Sequence, residues 1–183
     1  MRKIVAGLFI ALDGVAESPD KWHFPYWSDE MGAAVGGQMA NTDTMLLGRV
    51  TYEEFAGYWP QQDADAEPFA AYMNNTPKLV VSNTLDTLDW QNSTLVSGDV
   101  YGKLRELKAQ PGKDISITGS ISLTRSLLRE GLLDELNLLV HPIVVGSGKR
   151  LWEGDTGNVP LELAESKTLP NGVLHLIYRR AAG

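Results

Sequence analysis

The chain has no cysteine, three histidines and fewer basic than acidic side chains. Without thiols there are no disulfides, thiolate metal sites or cysteine nucleophiles, and a reducing cytoplasm is the expected location. His23, His141 and His175 fall in separate segments without the close His/carboxylate spacing of zinc motifs, so no metal site is expected. Lys and Arg number 16 against 23 Asp and Glu, a net charge of −7. Such a chain repels a polyphosphate backbone at long range and shows no basic stripe to offset this, which argues against nucleic acid as a partner. A small phosphorylated molecule needs only a few local donors and is not excluded. No apolar run approaches the length of a membrane span, so no membrane partner is expected. Met1-Arg2-Lys3 followed by Ile4 to Leu12 has the outline of a short leader, with Gly14-Val15-Ala16 as cleavage residues. The run ends in Asp13-Gly14, however, and fits a first strand buried on both faces.

With 183 residues, 43% of them apolar, the chain can build one continuous core, and a single domain over residues 1–183 is expected. A strand over about residues 3 to 12 leads into a loop containing Pro19, Trp22, His23, Pro25 and Trp27. Ser28 or Asp29 is placed to cap a helix running to about Asn41, with Met31, Val35 and Met39 on one face. Thr44 to Leu47 reads as the second strand. Thr51-Tyr52-Glu53-Glu54 then matches a capping box, which predicts a helix starting at Thr51. Gly57 to Glu67 reads as a polar loop and Pro68 as the first turn of a short helix. Further strands are expected at Lys78 to Ser82, Thr94 to Ser97 and Ile115 to Thr118, with helices following Asp99 and Gly119. This alternation predicts an α/β fold, a mostly parallel central sheet with helices on both faces in a three-layer sandwich. Glu135 to Val145, Leu161 to Lys167 and Val173 to Arg179 read as strands without long helices between them and should add antiparallel C-terminal edges.

Two distant stretches, Leu46-Leu47-Gly48-Arg49-Val50-Thr51 and Ile117-Thr118-Gly119-Ser120, share one design: an apolar strand breaks at glycine and passes through a hydroxyl residue into a helix. Helix starts carry unpaired amides and the positive end of a macrodipole, and glycine lets an anion approach the main chain, so each junction can cradle a phosphate. Strand-Gly-helix is also ordinary connection chemistry, and Thr51 and Ser120 could simply cap their helices. Two cradles together, with Arg49 adding a charged donor, point to a dinucleotide.

Asp13 is either an Asp-Gly turn residue or a carboxylate at a pocket floor that orients a polar substrate. Trp22, Trp27, Tyr52 and Trp59 could wall a flat heterocycle or serve packing alone. Val145 to Arg150 lacks P-loop spacing and reads as a turn or bulge before an edge strand.

In order, these motifs are a strand ending Leu-Asp-Gly, a Trp-containing loop, Leu-Gly-Arg-x-Thr-Tyr-Glu, Val-Val-Ser-Asn, Thr-Gly-Ser before a leucine-rich helix, and His-Pro-x-x-x-Gly-x-Gly from His141 to Gly148. The set resembles the dihydrofolate reductase superfold, and within it the bacterial RibD C-terminal domain family, similar to the reductase domain of riboflavin biosynthesis. The resemblance implies a dihydrofolate reductase-like domain that binds NADPH and passes a hydride to a small cyclic substrate, pyrimidine- or pterin-like. It implies that Gly48, Arg49 and Thr51 approach the cofactor phosphates, that Ser82 and Asn83 lie by the adenosine ribose and its extra phosphate, and that Gly119, Ser120, Ile121 and Ser122 form the second cradle. Asp13, Trp22, Trp27 and Tyr52 then fall to the substrate, with Asp13 the one catalytic candidate. The segment around Trp27, Asp29 and Glu30 departs from the dihydrofolate reductases where their substrate-binding acid lies, which argues against folate. A non-catalytic nucleotide-binding protein on the same fold is the alternative, and the apolar C-terminal strands suit a homodimer.

Overall fold

The computed structural model describes residues 1–154 and 157–181. Its elements are β1 (Ile4–Ala11), α1 (Asp29–Ala40), β2 (Thr42–Gly48), α2 (Arg49–Ala56), α3 (Ala70–Asn75), β3 (Lys78–Val81), β4 (Ser93–Val96), α4 (Val100–Ala109), β5 (Asp114–Thr118), α5 (Ile121–Arg129), β6 (Glu135–His141), β7 (Leu161–Thr168) and β8 (Leu174–Arg180). The strands form one sheet in the order β4-β3-β2-β5-β1-β6-β8-β7. The first six are parallel, while β8 pairs antiparallel with both β6 and β7. The α/β sandwich with antiparallel C-terminal strands is therefore as expected, except that β6, expected to add an antiparallel edge, lies inside the sheet and runs parallel to β1.

Helices α4 and α5 cover one face, where Leu104 and Leu127 pack with Ile4, Ala6, Ile115, Ile117 and Leu136. On the other, Tyr52 of α2, Met73 of α3 and Trp90 pack with Met45, Leu47 and Val80, and Met31 of α1 packs with Leu139. Central β1 is covered on both sides, which explains its unbroken apolar run. Its Gly7 leaves room for an amide from α1: a Cβ there would meet Gln38 Oε1 at 2.5 Å. Asn137 Nδ2 of β6 donates to that oxygen at 3.4 Å.

The end of β6 and the connection that follows it differ from expectation. Strand β6 ends at His141 rather than Val145, because Pro142 has no N–H to continue the ladder. The chain continues as a loop bonded to the exit of β1, with Leu12 N donating to Ile143 O and Ala16 N to Lys149 O. That loop makes an isolated bridge between Val15 and Arg150 and does not run directly into an edge strand.

At the opposite end of the sheet, Lys78 opens β3 with 1% exposure. Its Nζ donates to the carbonyls of Thr76 at 2.8 Å and of Asn74 and Gln91 at 3.2 Å, and lies 4.2 Å from the centroid of the Trp90 ring. Burial pushes the amine down to about 8, which still leaves it charged at neutral pH. Lys78→Met keeps much of the stem but leaves three carbonyls without this donor. The expected loss is about 2–3 kcal/mol in urea unfolding; a loss below about 0.5 kcal/mol would mean that water replaces the ammonium.

Candidate functional site

Parallel pairing brings the carboxyl ends of β3, β2, β5, β1 and β6 to one edge, the edge at which open α/β sheets bind ligands. Strands β2 and β5 are direct neighbours, so the two glycine junctions meet. Gly48 N donates to Ser120 Oγ at 3.0 Å, and Ser120 N donates to Thr51 Oγ1 at 3.0 Å. Each junction thus supplies an acceptor for an amide of the other.

The reciprocal bonds correct the expected capping box. Helix α2 starts at Arg49, two residues before Thr51, with Gly48 as its N-cap and no side-chain cap. Thr51 sits in the first turn, its oxygen directed across to β5. Helix α5 is also uncapped; Ser120 precedes it in the left-handed region at φ 49° and gives its oxygen to Gly48. By contrast, Ser28 caps α1 through Met31 N and Asp99 caps α4 through Gly102 N. The short α3, with Phe69 as its N-cap, also lacks a side-chain cap, but α2 and α5 are the two whose starts are bonded to each other. Gly119 lies at φ 68°, and a Cβ there would approach Thr51 Cγ2 to 3.2 Å, so the close approach itself calls for glycine. Ile121 and Ser122 open the helix beyond it, in the first turn whose amides lack helical acceptors.

Arg49 is half-exposed at the head of α2, its Nη1 2.8 Å from Glu53 Oε2. An exposed pair one helical turn apart is weak and exchanges readily for a stronger anion. Ser82, just beyond β3, is buried, and its Oγ accepts from Thr84 N and Leu85 N at 3.1 Å. Its neighbour Asn83 is exposed and accepts from Gly98 N at 3.4 Å.

Asp13 lies beyond β1. Its Oδ2 accepts from Gly146 N at 2.8 Å, a bond that holds the carboxyl below its ordinary value and keeps it ionised near neutrality. Arg150 Nε donates to the Asp13 carbonyl at 3.0 Å, and Asp13 Oδ1 is shielded from solvent without a partner. The side chain therefore staples the 141–148 loop to β1 and keeps one carboxylate oxygen uncommitted.

The four aromatics considered as one wall separate into two groups. Trp22 packs with Ala11 and Val15, and Trp27 meets His23 edge-on. Tyr52 lies beneath α2, where its hydroxyl accepts from Trp90 N at 3.1 Å, and Trp59 packs on Phe55 and Tyr58. Among the described residues no ring contact joins the four to one another.

Sequence reasoning passed over a pair of histidines at this edge. His141 ends β6 fully buried, and His23, 6% exposed, stacks on Phe9 of β1. Their rings lie 6.1 Å apart. Burial, reinforced by the neighbouring His141, pushes His23 down to about 4, and burial lowers His141 as well. The available signal was the setting Trp22-His23-Phe24-Pro25, with a second histidine just before Pro142 inside a predicted strand. Among the described residues no group of three or more His, Asp and Glu is placed to hold a metal ion, and no helix is long and apolar enough to cross a membrane.

Comparison with known proteins agrees with this fold. A family model described as the RibD C-terminal domain matches residues 2–175. The uncharacterized protein YyaP of Bacillus subtilis is 29% identical over 180 residues, spanning 97% of this chain and 94% of the relative. A putative riboflavin biosynthesis protein from Shewanella sp. PV-4 is similar in structure, with TM-score 0.77, 20% identity and coverage of 98% of this chain and 99% of the other. A dihydrofolate reductase from Enterococcus faecalis, solved with NADP(H), superimposes with TM-score 0.64 at 15% identity, covering 98% and 97% of the two chains. At these identities the structural matches establish the fold, which is dihydrofolate reductase-like.

Thr51→Val removes the acceptor of the buried Ser120 amide with little change of shape. The expected cost is about 1–2 kcal/mol of stability, with faster hydrogen exchange at Ser120 N–H. Exchange at that amide unchanged from wild type would show that the threonine oxygen is not its partner.

Acid should also weaken the fold through His23. Its folded value of about 4 lies below the ordinary 6.5, so the unfolded chain binds the proton more tightly and stability falls as pH drops from about 6.5 to about 4. The full effect is about 3 kcal/mol, reached below that window. His23→Phe should lose less stability than wild type between pH 7 and 4 in urea titrations; parallel curves would remove His23 from the acid response.

Proposed function

Since the chain belongs to the RibD C-terminal domain family, we propose that it is an NADPH-dependent reductase that passes a hydride to a small, polar, cyclic substrate. The observation that carries this reading is the pair of uncapped helix starts bonded to each other through Gly48, Ser120 and Thr51. Two first turns with unused amides side by side suit two linked phosphates better than one. Arg49 leaves Glu53 for a phosphate, a charge-assisted bond stronger than an exposed ion pair. The hydroxyls of Thr51, Ser120 and Ser122 keep O–H donors to offer, because Thr51 and Ser120 use their oxygens as acceptors for the Ser120 and Gly48 amides. Ser82 and Asn83, one strand farther out, face the adenosine ribose and its additional phosphate.

NADPH supplies the hydride when bound, so the chain needs no nucleophile of its own; its tasks are to align two rings and exclude water. Asp13, ionised and with one oxygen uncommitted, accepts a hydrogen bond from the substrate and does not act as the proton source. Trp22 and Trp27 lie near the ends of β1 and β6, where a flat substrate would sit, whereas Tyr52 contributes from beneath the cradle. The half-exposed Leu163 and Leu174 of the antiparallel strands suit a second copy of the chain, which makes a homodimer part of this proposal.

Titration with NADPH and NADH, followed by cofactor fluorescence, tests the reading. Binding that favours NADPH, with oxidation in the presence of a pterin, pyrimidine or quinone acceptor, supports a reductase. Binding without turnover over the whole panel supports a nucleotide-binding protein instead, and no binding of either cofactor rejects both. Arg49→Ala should weaken NADPH binding by about 1–3 kcal/mol and leave urea unfolding nearly unchanged; equal affinity in the variant would place the guanidinium outside the site.

A further inference from the structure

Two of the buried nitrogens without a hydrogen-bond partner, His23 Nδ1 and His141 Nε2, belong to rings 6.1 Å apart at the same sheet edge. Both residues are more than nine-tenths buried. For His141 the tautomer follows from geometry: its Nδ1 lies 2.8 Å from Leu139 O, a carbonyl that can only accept, so Nδ1 carries the proton. In the neutral ring Nε2 is then a bare lone pair. Burial favours the neutral form of both rings, and Asp20 is the acidic group acting on His23 from its own loop. Native interiors rarely leave such atoms unmatched, and two neighbouring rings each with an unpartnered nitrogen suggest a ligand that supplies the partners.

The surroundings suit a flat ring. Phe9 stacks on His23 at 4.6 Å, and Trp22 and Tyr26 meet His141 edge-on at 5.3 and 5.7 Å. Access lies through residues 18–27. Among the described residues the backbone–backbone hydrogen bonds of this segment stay within it: Lys21 to Ser18, Trp22 and His23 to Pro19, Tyr26 to His23 and Trp27 to Phe24. A side-chain bond from Asn171 Nδ2 to Trp27 O, at 3.4 Å, ties it to the rest. The segment can lift from the sheet without breaking a strand pairing.

We propose that His141 Nε2 and His23 Nδ1 form the polar end of the acceptor's pocket and read the adjacent N–H and C=O of a lactam or imide edge. His141 accepts the N–H. His23, whose neutral ring can place its proton on Nδ1, donates to the carbonyl. The pocket therefore selects nitrogen heterocycles of the uracil or pterin type and rejects quinones, which offer no N–H. This assignment rests on the reductase reading for the nature of the ligand, but its test is separable from that reading.

The test uses the full chain with ¹⁵N-labelled histidine, its ring nitrogens followed by NMR in the presence of NADP⁺. The probes are 6-aminouracil and its 1,3-dimethyl derivative, which lacks ring N–H. The expected result is a shift of the His141 Nε2 resonance with 6-aminouracil alone, and about tenfold weaker 6-aminouracil binding in His23→Phe. No shift, or equal shifts with both probes, overturns the proposal, and NMR on the unmutated chain gives that answer even if the variant folds poorly. Cofactor fluorescence on the same sample reports the underlying reading. Histidine shifts without nucleotide binding uphold the pocket and sink the reductase, whereas nucleotide binding without histidine shifts does the reverse.

Discussion

The pairing of β2 with β5 is the constraint on which the edge depends, because it alone brings Gly48 within reach of Ser120. Gly48 N then donates to Ser120 Oγ 72 positions away, Ser120 N donates back to Thr51 Oγ1, and their helices start side by side. A glycine at 119 and a left-handed serine at 120 are needed to make the approach close enough. The left-handed conformation costs a non-glycine residue about 1–2 kcal/mol. Hydrogen bonds through both the amide and the hydroxyl of Ser120 offset it. The consequence is a rigid surface of unused helix amides, prepared before any ligand arrives.

Much of this was readable from residues alone. Apolar runs bounded by glycine placed the parallel strands within a few positions, since β1, β2 and β5 are buried enough for pattern and structure to coincide. Pairing partners were harder to read. Nothing local in Thr51-Tyr52-Glu53-Glu54 says that the threonine oxygen leaves its own helix for an amide on another strand, and a capping box is the reading local rules favour. The same limit hid the meeting of His23 and His141, separated by 118 positions and joined through the stacking of Phe9 and the register Ala11–His141. The Lys78 cage escaped for a related reason: three backbone carbonyls carry no side-chain signature.

Buried polar groups are held differently at the two ends of the sheet. At the amino ends, Lys78 is surrounded by acceptors, Lys108 Nζ donates to Asp134 and Leu132 O, and Arg2 is ion-paired with Asp43. At the carboxyl ends, Asp13 Oδ1, His23 Nδ1 and His141 Nε2 are left without partners, and two helix starts lack side-chain caps. Satisfied polar groups hold the scaffold where no chemistry is placed. Other buried side-chain atoms without partners lie elsewhere, such as Ser93 Oγ at the start of β4 and Asn137 Oδ1 of β6, but the three at the carboxyl ends lie where a ligand can complete them.

The self-bonded backbone of residues 18–27 bears on how such proteins diversify. Because its turns close upon themselves and take no place in the sheet's hydrogen-bond ladder, length and composition there can change without shifting strand register or disturbing the starts of α2 and α5. The segment behaves as an interchangeable cassette on a fixed chassis, so ten residues can be exchanged while the paired helix starts are inherited intact.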